Sequence, residues 1–321
     1  MHVSARPPEA VLWDFFRGAL MTRALALAAD LRIADALADG PRPVDELARE
    51  AGADPDRLRR VLRALASDGV FAEVEPGVFV NTEASAMLGR RDGFDDFAHL
   101  FGGIWHRAAG ALEATAGEPA FEREFGAEFW IWLAKHPDER AAFDRAMVQN
   151  WKVRMERLSQ VDWRGDETVV DVGGGNGSLM VALLQLQPGL RGVVFDLPET
   201  VRDEAALGEQ RIQFVAGSFF EAVPAGDVYL LSTILHDWDD EPAAAILRTV
   251  RAGAPDHARL VVIDSVVQPG NEPQGAKWLD LLMLTLFAGR ERDEGQWRAL
   301  LRETGWEPVH LTYGLIEARC R

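Results

Sequence analysis

Two sets of residues in this chain have the types and spacing that chemistry requires. The first is the run Asp171-Val-Gly-Gly-Gly-Asn-Gly177. It follows a β-branched stretch and opens the apolar stretch Ser178–Leu186, so Gly173, Gly175 and Gly177 supply a turn at a helix N-terminus where a ligand can approach bare backbone. The spacing G-x-G-x-G, with an acid two residues ahead of the first glycine, differs from the G-x-G-x-x-G that seats a dinucleotide pyrophosphate, and favours a nucleotide-type ligand without phosphates. Asp196 ends the next apolar run, where its carboxylate can accept from two ribose hydroxyls. The second set centres on His236. Of seven histidines it alone follows an apolar strand, Val228–Ser232, at the carboxyl end of a sheet where ligands of doubly wound folds bind. Its imidazole titrates near neutrality and can take a proton from a hydroxyl as that oxygen attacks. A purely structural glycine turn and a core histidine bonded to backbone are the plainer alternatives.

The elements that must position these residues change character once along the chain. From about residue 165, short β-branched runs alternate with helices: Thr168–Val172, Gly192–Asp196, Ile212–Ala216, Val228–Ser232 and Leu260–Asp264, then a closing pair Val309–Tyr313 and Leu315–Arg319 joined at Gly314. That alternation predicts an α/β domain with a mainly parallel sheet and an antiparallel edge. Residues 1–90 read as a separate α-rich unit. Val11–Leu20 and Ala24–Leu37 are apolar helices. Val44–Ala51 and Pro55–Ser67 flank the turn Gly52-Ala53-Asp54, where Asp54 can cap and Pro55 suits the first helical position. Leu58, Val61, Leu62 and Leu65 make the buried stripe of the second of these. Val70–Val74 and Val78–Val80 complete a winged-helix pattern. Residues 91–160 form a helical, aromatic-rich linker whose rings are ordinary helix core in the main, and residues 161–321 are the ligand-binding domain.

Charge limits what the winged unit can do. The chain has 34 basic and 51 acidic side chains, net −17, which repels nucleic-acid phosphates and anionic membranes. Over residues 1–90 there are 11 basic and 14 acidic side chains, so Arg57, Arg59, Arg60 and Arg63 do not amount to the basic footprint of a duplex binder. The apolar N-terminal helices point to a homodimer instead. Cys320 is the single cysteine, which excludes an intrachain disulfide and a thiolate metal site. No run approaches the roughly 20 apolar residues of a membrane helix, and the start MHVSARPPEA lacks an apolar secretion stretch. A cytoplasmic protein is expected.

In four segments the chain resembles the S-adenosylmethionine-dependent O-methyltransferases of the plant caffeic-acid and bacterial polyketide-tailoring type. They are DVGGGNG at 171–177, FDLPE at 195–199, GSFFEAVPAGDVYLLSTILHDWDDE at 217–241 and DLLMLTLFAGRERDEGQW at 280–297, in family order, and the likeness spans nearly the whole chain. It implies a Rossmann-like methyltransferase domain behind a winged-helix-like dimerisation domain, with S-adenosylmethionine as cofactor and S-adenosylhomocysteine as product. Asp171, Gly173, Gly175, Gly177, Asp196, Leu197, Ser218, Phe219, Ser232, Asp237 and Trp238 then belong to the cofactor site, with Asp196 on the ribose diol and Phe219 against adenine. Where the family commonly has an aspartate for the adenine amino group this chain has Ser218, a weaker acceptor. Arg154 is a candidate for the cofactor carboxylate.

The resemblance also makes His236 the general base, flanked by the acids Asp264 and Glu291 that orient it. Asp264 is shorter than the glutamate often found there, so its link to His236 runs through water. Met147, Asn150, Trp151, Trp278, Met283 and Phe287 match acceptor-lining positions, where methionine and aromatic walls suit a planar hydroxylated aromatic substrate. The displacement needs no metal, and the sequence offers no cluster of ligands for one. Beside O-methylation stand a family member that methylates carbon or nitrogen, decarboxylates or hydroxylates, and a non-enzymatic winged-helix regulator. The identity of the acceptor is not written in the sequence.

Overall fold

The computed structural model describes residues 7–90, 94–115, 117–149, 151–198, 200–201 and 209–321, with the side chains of residues 148, 149 and 151–153 outside the description. The chain forms two compact units, Met1–Thr115 with Ala120–Gln149, and Ala116–Pro119 with Asn150–Arg321.

The first unit opens with one long helix, α1 (Pro8–Asp30), where the sequence suggests two. Thr22 does not interrupt it, because its hydroxyl donates back to the Gly18 carbonyl at 2.9 Å. The break falls later, at Arg32, whose φ of 56° is left-handed, before α2 (Ile33–Ala36). Helix α3 (Val44–Ala51) stops at Gly52 with φ 66°, the conformation that glycine reaches without a Cβ penalty. Helix α4 (Pro55–Ser67) starts where Asp54 accepts from the Arg57 N–H at 2.9 Å. Leu58, Leu62 and Leu65 of α4 are buried and Val61 is half-buried. They meet Ile33, Leu37, Leu47, Phe71 and Phe79 in one core. The wing has a third strand that two residues of sequence could not announce: β1 (Arg42–Pro43), β2 (Phe71–Glu75) and β3 (Val78–Asn81) pair in the order β1-β3-β2.

Helices α5 (Glu83–Ala86), α6 (Phe94–Gly102), α7 (Ile104–Gly110), α8 (Ala120–Phe125), α9 (Phe129–Ala134) and α10 (Pro137–Gln149) complete this unit. Much of the stretch read as a linker is therefore compacted with the N-terminal helices. Helix α6 lies so close to α1 that a Cβ on Gly102 would stand 2.3 Å from the Ala26 Cβ.

The second unit begins with α11 (Trp151–Leu158) and is built on a seven-stranded sheet. Its strands are β4 (Thr168–Val172), β5 (Arg191–Asp196), β6 (Ile212–Ala216), β7 (Val228–Ser232), β8 (Arg259–Ile263), β11 (Trp306–Thr312) and β12 (Leu315–Cys320), ordered β11-β12-β8-β7-β4-β5-β6. Strands β4 to β8 are mutually parallel. The antiparallel strand is β12, paired on one side with β8 and on the other with β11. It therefore lies one place in from the edge, and β11 is the edge strand. The central strands β7 and β8 are buried almost throughout, as both faces of a parallel sheet require. Helices α12 (Ser178–Leu186), α13 (Asp240–Gly253), α14 (Gly275–Leu286) and α15 (Glu294–Glu303) follow the strands. The short strands β9 (Val266–Val267) and β10 (Arg292–Asp293) pair in parallel. Among the described residues no helix is long and apolar enough to cross a membrane.

Candidate active site

Strand β4 delivers Asp171 and the glycine turn to the carboxyl edge of the sheet. Gly173, Gly175 and Gly177 all have positive φ, at 77°, 60° and 80°. Two of them matter for different reasons. A Cβ on Gly173 would lie 2.4 Å from Ile234 Cδ1, so the turn is pressed against the segment that carries His236; around Gly175 nothing lies within 4 Å of the Cβ position. Asp196 at the end of β5 accepts from the Gly175 N–H at 2.9 Å and from the Leu197 N–H at 2.7 Å. Its carboxylate thus fixes the glycine turn with one oxygen and the exit of β5 with the other, and Leu197 itself is exposed.

Two buried oxygens on this edge have no hydrogen-bond partner among the described residues: Asp171 Oδ2 and Ser232 Oγ. Burial pushes the Asp171 carboxyl up, against the pull of Arg154 and with the added repulsion of Asp196, to about 7. Arg154 on α11 is half-buried, and its buried Nε is likewise unpartnered among the described residues; burial lowers its affinity for the proton, opposed by Asp171 and Asp264. Phe219, Phe220 and Trp238 stand together, with ring centres 5.0 Å apart for Phe219–Phe220 and for Phe220–Trp238, and 6.2 Å for Phe219–Trp238. The Ser218 hydroxyl accepts from the Phe220 N–H at 3.3 Å.

Strand β7 leads to the second group through a strained residue. Thr233 has φ 56°, an outlier for a β-branched side chain. Its N–H donates to the Ile263 carbonyl at 2.9 Å and its hydroxyl to the Ser232 carbonyl at 2.6 Å, which hold it there. The chain then enters a 3-10 turn, Leu235–Asp237, that turns His236 inward. His236 Nδ1 lies 2.7 Å from Glu291 Oε1 and 3.8 Å from Asp264 Oδ1, and its Nε2 lies 3.4 Å from Asp237 Oδ1. The acids are unequal: Glu291 makes a short charge-assisted bond that sets the ring's orientation, whereas Asp264 stands beyond hydrogen-bond reach and both its oxygens are unpartnered among the described residues.

The electrostatics follow from burial. Burial alone would drive the proton off His236. The charge of Asp264, the bond from Glu291 and the charge of Asp237 more than reverse it, holding the imidazolium up to about 10. Burial likewise pushes Asp237 up to about 6 and Asp264 up to about 7, in each case against the pull of His236. Three carboxylates thus share one imidazolium in a dry pocket.

Met283 and Phe287 are buried, and Trp278 is 56% exposed. Met147 is half-buried on α10 of the first unit. Asn150 and the Trp151 side chain lie outside the described residues. Sequence reasoning missed Thr233, which leads into the His236 turn, and Gly289 and Arg292, which touch it. Gly289 and Arg292 do lie inside the segment 280–297 that carries the resemblance, on either side of Glu291.

Two family models match the chain, an O-methyltransferase domain over residues 105–307 and an O-methyltransferase dimerisation domain over residues 13–91. The chain belongs to the O-methyltransferase family. The enzyme is 40% identical to a phenazine O-methyltransferase of Lysobacter antibioticus, over 98% of this chain and 97% of that protein. It is 38% identical to the O-demethylpuromycin-O-methyltransferase of Streptomyces alboniger, over 94% and 86%. Its fold matches the crystal structure of LaPhzM with a TM-score of 0.93 at 37% identity, covering 98% of this chain and 100% of that one. It also matches an O-methyltransferase from neocarzinostatin biosynthesis, crystallised with S-adenosyl-L-homocysteine and 1,4-dihydroxy-2-naphthoic acid, with a TM-score of 0.79 at 33% identity over 94% and 96%. This O-methyltransferase uses S-adenosylmethionine. The donor set fits that cofactor: unpaired buried oxygens at Asp171 and Ser232, open space over Gly175 and an unpaired buried guanidinium nitrogen at Arg154 oppose a ligand with an amino group, hydroxyls and a carboxylate.

Proposed function

We propose that this enzyme methylates a hydroxyl of a planar aromatic small molecule in secondary metabolism, and that His236 receives the hydroxyl's proton. The observation that carries the reading is the 2.7 Å bond from His236 Nδ1 to Glu291 Oε1 on the turn that also presses Ile234 against the glycine loop. With Nδ1–H donating to Glu291, Nε2 is the nitrogen left for the acceptor. S-adenosylmethionine, when bound, supplies an electrophilic methyl on a sulfonium. Asp196 would take its ribose hydroxyls, Asp171 and Ser232 its N–H donors, Arg154 its carboxylate and Phe219 with Trp238 its adenine face. Leu197 and Ser218 flank the adenosine. The bound cofactor would supply that methyl and leave as S-adenosylhomocysteine, and the acceptor oxygen's proton would pass to His236 Nε2. Positioning and the exclusion of water then do most of the catalytic work.

The acceptor class rests on the relatives, whose names specify phenazine, puromycin and naphthoate chemistry, and on Met283 and Phe287, with Met147, Asn150, Trp151 and Trp278, as acceptor-lining candidates. The domain limits follow the same reading: a dimerisation domain over about 1–90, pocket helices over 91–160 and the cofactor domain over 161–321. The working form is a homodimer joined through α1. Incubation with methyl-labelled cofactor and a panel of phenols, followed by mass spectrometry to locate the methyl, tests the activity. His236→Ala is expected to lower turnover by about 10²-fold or more with cofactor affinity retained. A loss of only a few-fold on a high-pKa phenol would remove His236 from the role.

A further inference from the structure

The segment 289–292 does more than deliver Glu291 to the imidazole. The turn Leu235–Asp237 is a single round of 3-10 helix, too short to satisfy its own carbonyls, and these sit where water is excluded. The Arg290 N–H donates to the His236 carbonyl at 2.9 Å. The Arg292 guanidinium donates to the Leu235 carbonyl at 3.0 Å through one terminal nitrogen and to the Trp238 carbonyl at 2.9 Å through the other. Its Nε donates to Asp240 Oδ1 at 3.0 Å, while Arg290 donates to Asp240 Oδ2 at 2.9 Å. Residues 235, 236 and 238 are thus gripped on both sides of the histidine, and the first residue of α13 anchors the grip. The backbone of 289 lies directly on the turn, because a Cβ there would stand 2.1 Å from the His236 carbonyl oxygen and 2.5 Å from the Asp237 carbonyl carbon.

Arg292 is completely buried. A buried guanidinium is costly to desolvate, and apolar replacements of buried ion pairs are often as stable or more so. Its placement therefore asks for a return other than stability. We propose that Arg292 is a positioning residue for the methyl transfer: by holding the Leu235 and Trp238 carbonyls in one plane it fixes the tilt of the His236 ring, so that Nδ1 meets Glu291 while Nε2 faces the acceptor. The inference rests on His236 receiving the proton. Only a planar fork reaches three partners in three directions at once; an ammonium on a flexible stem does not reproduce it.

The test compares wild type with Arg292→Lys, Asp240→Asn, His236→Ala and the corresponding double variants. Arg292→Lys is expected to lower kcat by about 10²-fold with little change in KM, the size a roughly 1 Å misplacement of a catalytic group produces. The low-field proton resonance of the His236 Nδ1–H···Glu291 bond should shift or broaden away. Asp240→Asn, which leaves both carbonyl bonds but turns one of the two acceptor oxygens facing Arg290 and Arg292 into a donor, should show a smaller loss of the same kind. In the His236→Ala background neither change should slow the enzyme further, as expected for residues acting through one group. An undiminished loss in that background, or an unmoved Nδ1 resonance in Arg292→Lys, would overturn the proposal. Should Arg292→Lys not fold, Asp240→Asn carries the same cycle and resonance. Full activity of His236→Ala would instead remove the proton-transfer reading, and the resonance would still report the grip.

Discussion

His236 carries its proton up to about 10 because Asp264, Glu291 and Asp237 surround it, and that value sets the sign of the pH dependence. The reacting complex needs one proton between the acceptor oxygen and Nε2. It arrives either as a neutral hydroxyl meeting neutral imidazole or as a phenolate meeting imidazolium, two tautomers with the same proton count and therefore the same pH dependence. A phenol near pKa 10 is therefore matched to the imidazolium, so the transfer is nearly thermoneutral. For such a phenol kcat/KM is expected to peak narrowly near pH 10, whereas for a more acidic acceptor it should rise through the acceptor's pKa, level off, and fall as pH passes about 10. In Glu291→Gln, which removes one of the groups that raise His236, the alkaline limb should move to lower pH; an unmoved limb would assign it to another group. Asp196, proposed for the ribose hydroxyls, also accepts from the Gly175 and Leu197 N–H groups. Asp196→Ala is expected to raise the cofactor dissociation constant tenfold or more, since a charge-assisted hydrogen bond is worth about 1.5–3 kcal/mol. Ser218→Asp should lower it. Calorimetry on both variants checks the pair, and an unchanged constant in Asp196→Ala would move the ribose site elsewhere.

At the scale of elements, three helices of the first unit meet at one histidine. His99 of α6 lies 2.7 Å from Asp30 at the end of α1 and 3.2 Å from Glu139 of α10. The bond to Asp30, then that to Glu139, raises its pKa from 6.5 to about 10. A raised folded-state pKa stabilises the fold below the unfolded value, so the contribution is full below about 6.5 and is lost as pH climbs through about 10. The melting-temperature gap between wild type and His99→Gln should thus be largest at pH 6 and close as pH approaches 10; a gap independent of pH would mean that shape, not charge, links the helices. No sequence pattern announced this clamp, since its residues are 30, 99 and 139 and only the fold brings them together. The same reason separates what was legible from what was not. Strands β4 and β7 were readable to the residue because a buried parallel strand must be apolar along its length. The cap at Asp54 and the stop at Gly52 were readable because their chemistry is local. The join expected between the two N-terminal helices, Val11–Leu20 and Ala24–Leu37, is absent, since α1 runs unbroken from Pro8 to Asp30. The glycine turn, Asp196 and His236 could be picked out by type and spacing, but the inequality of Asp264 and Glu291 is a matter of 3.8 Å against 2.7 Å. Arg292 gave no sign, because its partners at the turn are backbone carbonyls, which any sequence possesses.

The whole molecule leaves one large apolar surface unexplained by its own folding. Along the first half of α1, Leu12, Trp13, Phe15, Phe16 and Leu20 are 55–78% exposed, whereas the second half buries Ala26, Ala28 and Ala29 in the core of the first unit. Trp13 and Phe16 already meet edge to face at 5.6 Å, but this covers little of either ring. So many large side chains, contiguous on one helix, exceed the scattered apolar exposure that a monomeric surface tolerates. The match of residues 13–91 to an O-methyltransferase dimerisation domain supplies the occupant, a second copy of this chain. A face used by both copies is self-complementary, so each substitution on it is felt twice in the dimer. Replacing Phe15 and Phe16 together by serine is therefore expected to shift the protein toward monomer at micromolar concentration. The glycine loop, held within the second unit by Asp196 and Ile234, should still bind cofactor. Light scattering and calorimetry on one preparation separate the two effects. A wild-type mass near 35.4 kDa with full activity would show that α1 has another use. A dimer that persists in the double variant would place the interface on another apolar surface, such as the exposed Trp278, Leu281 and Leu284 of α14.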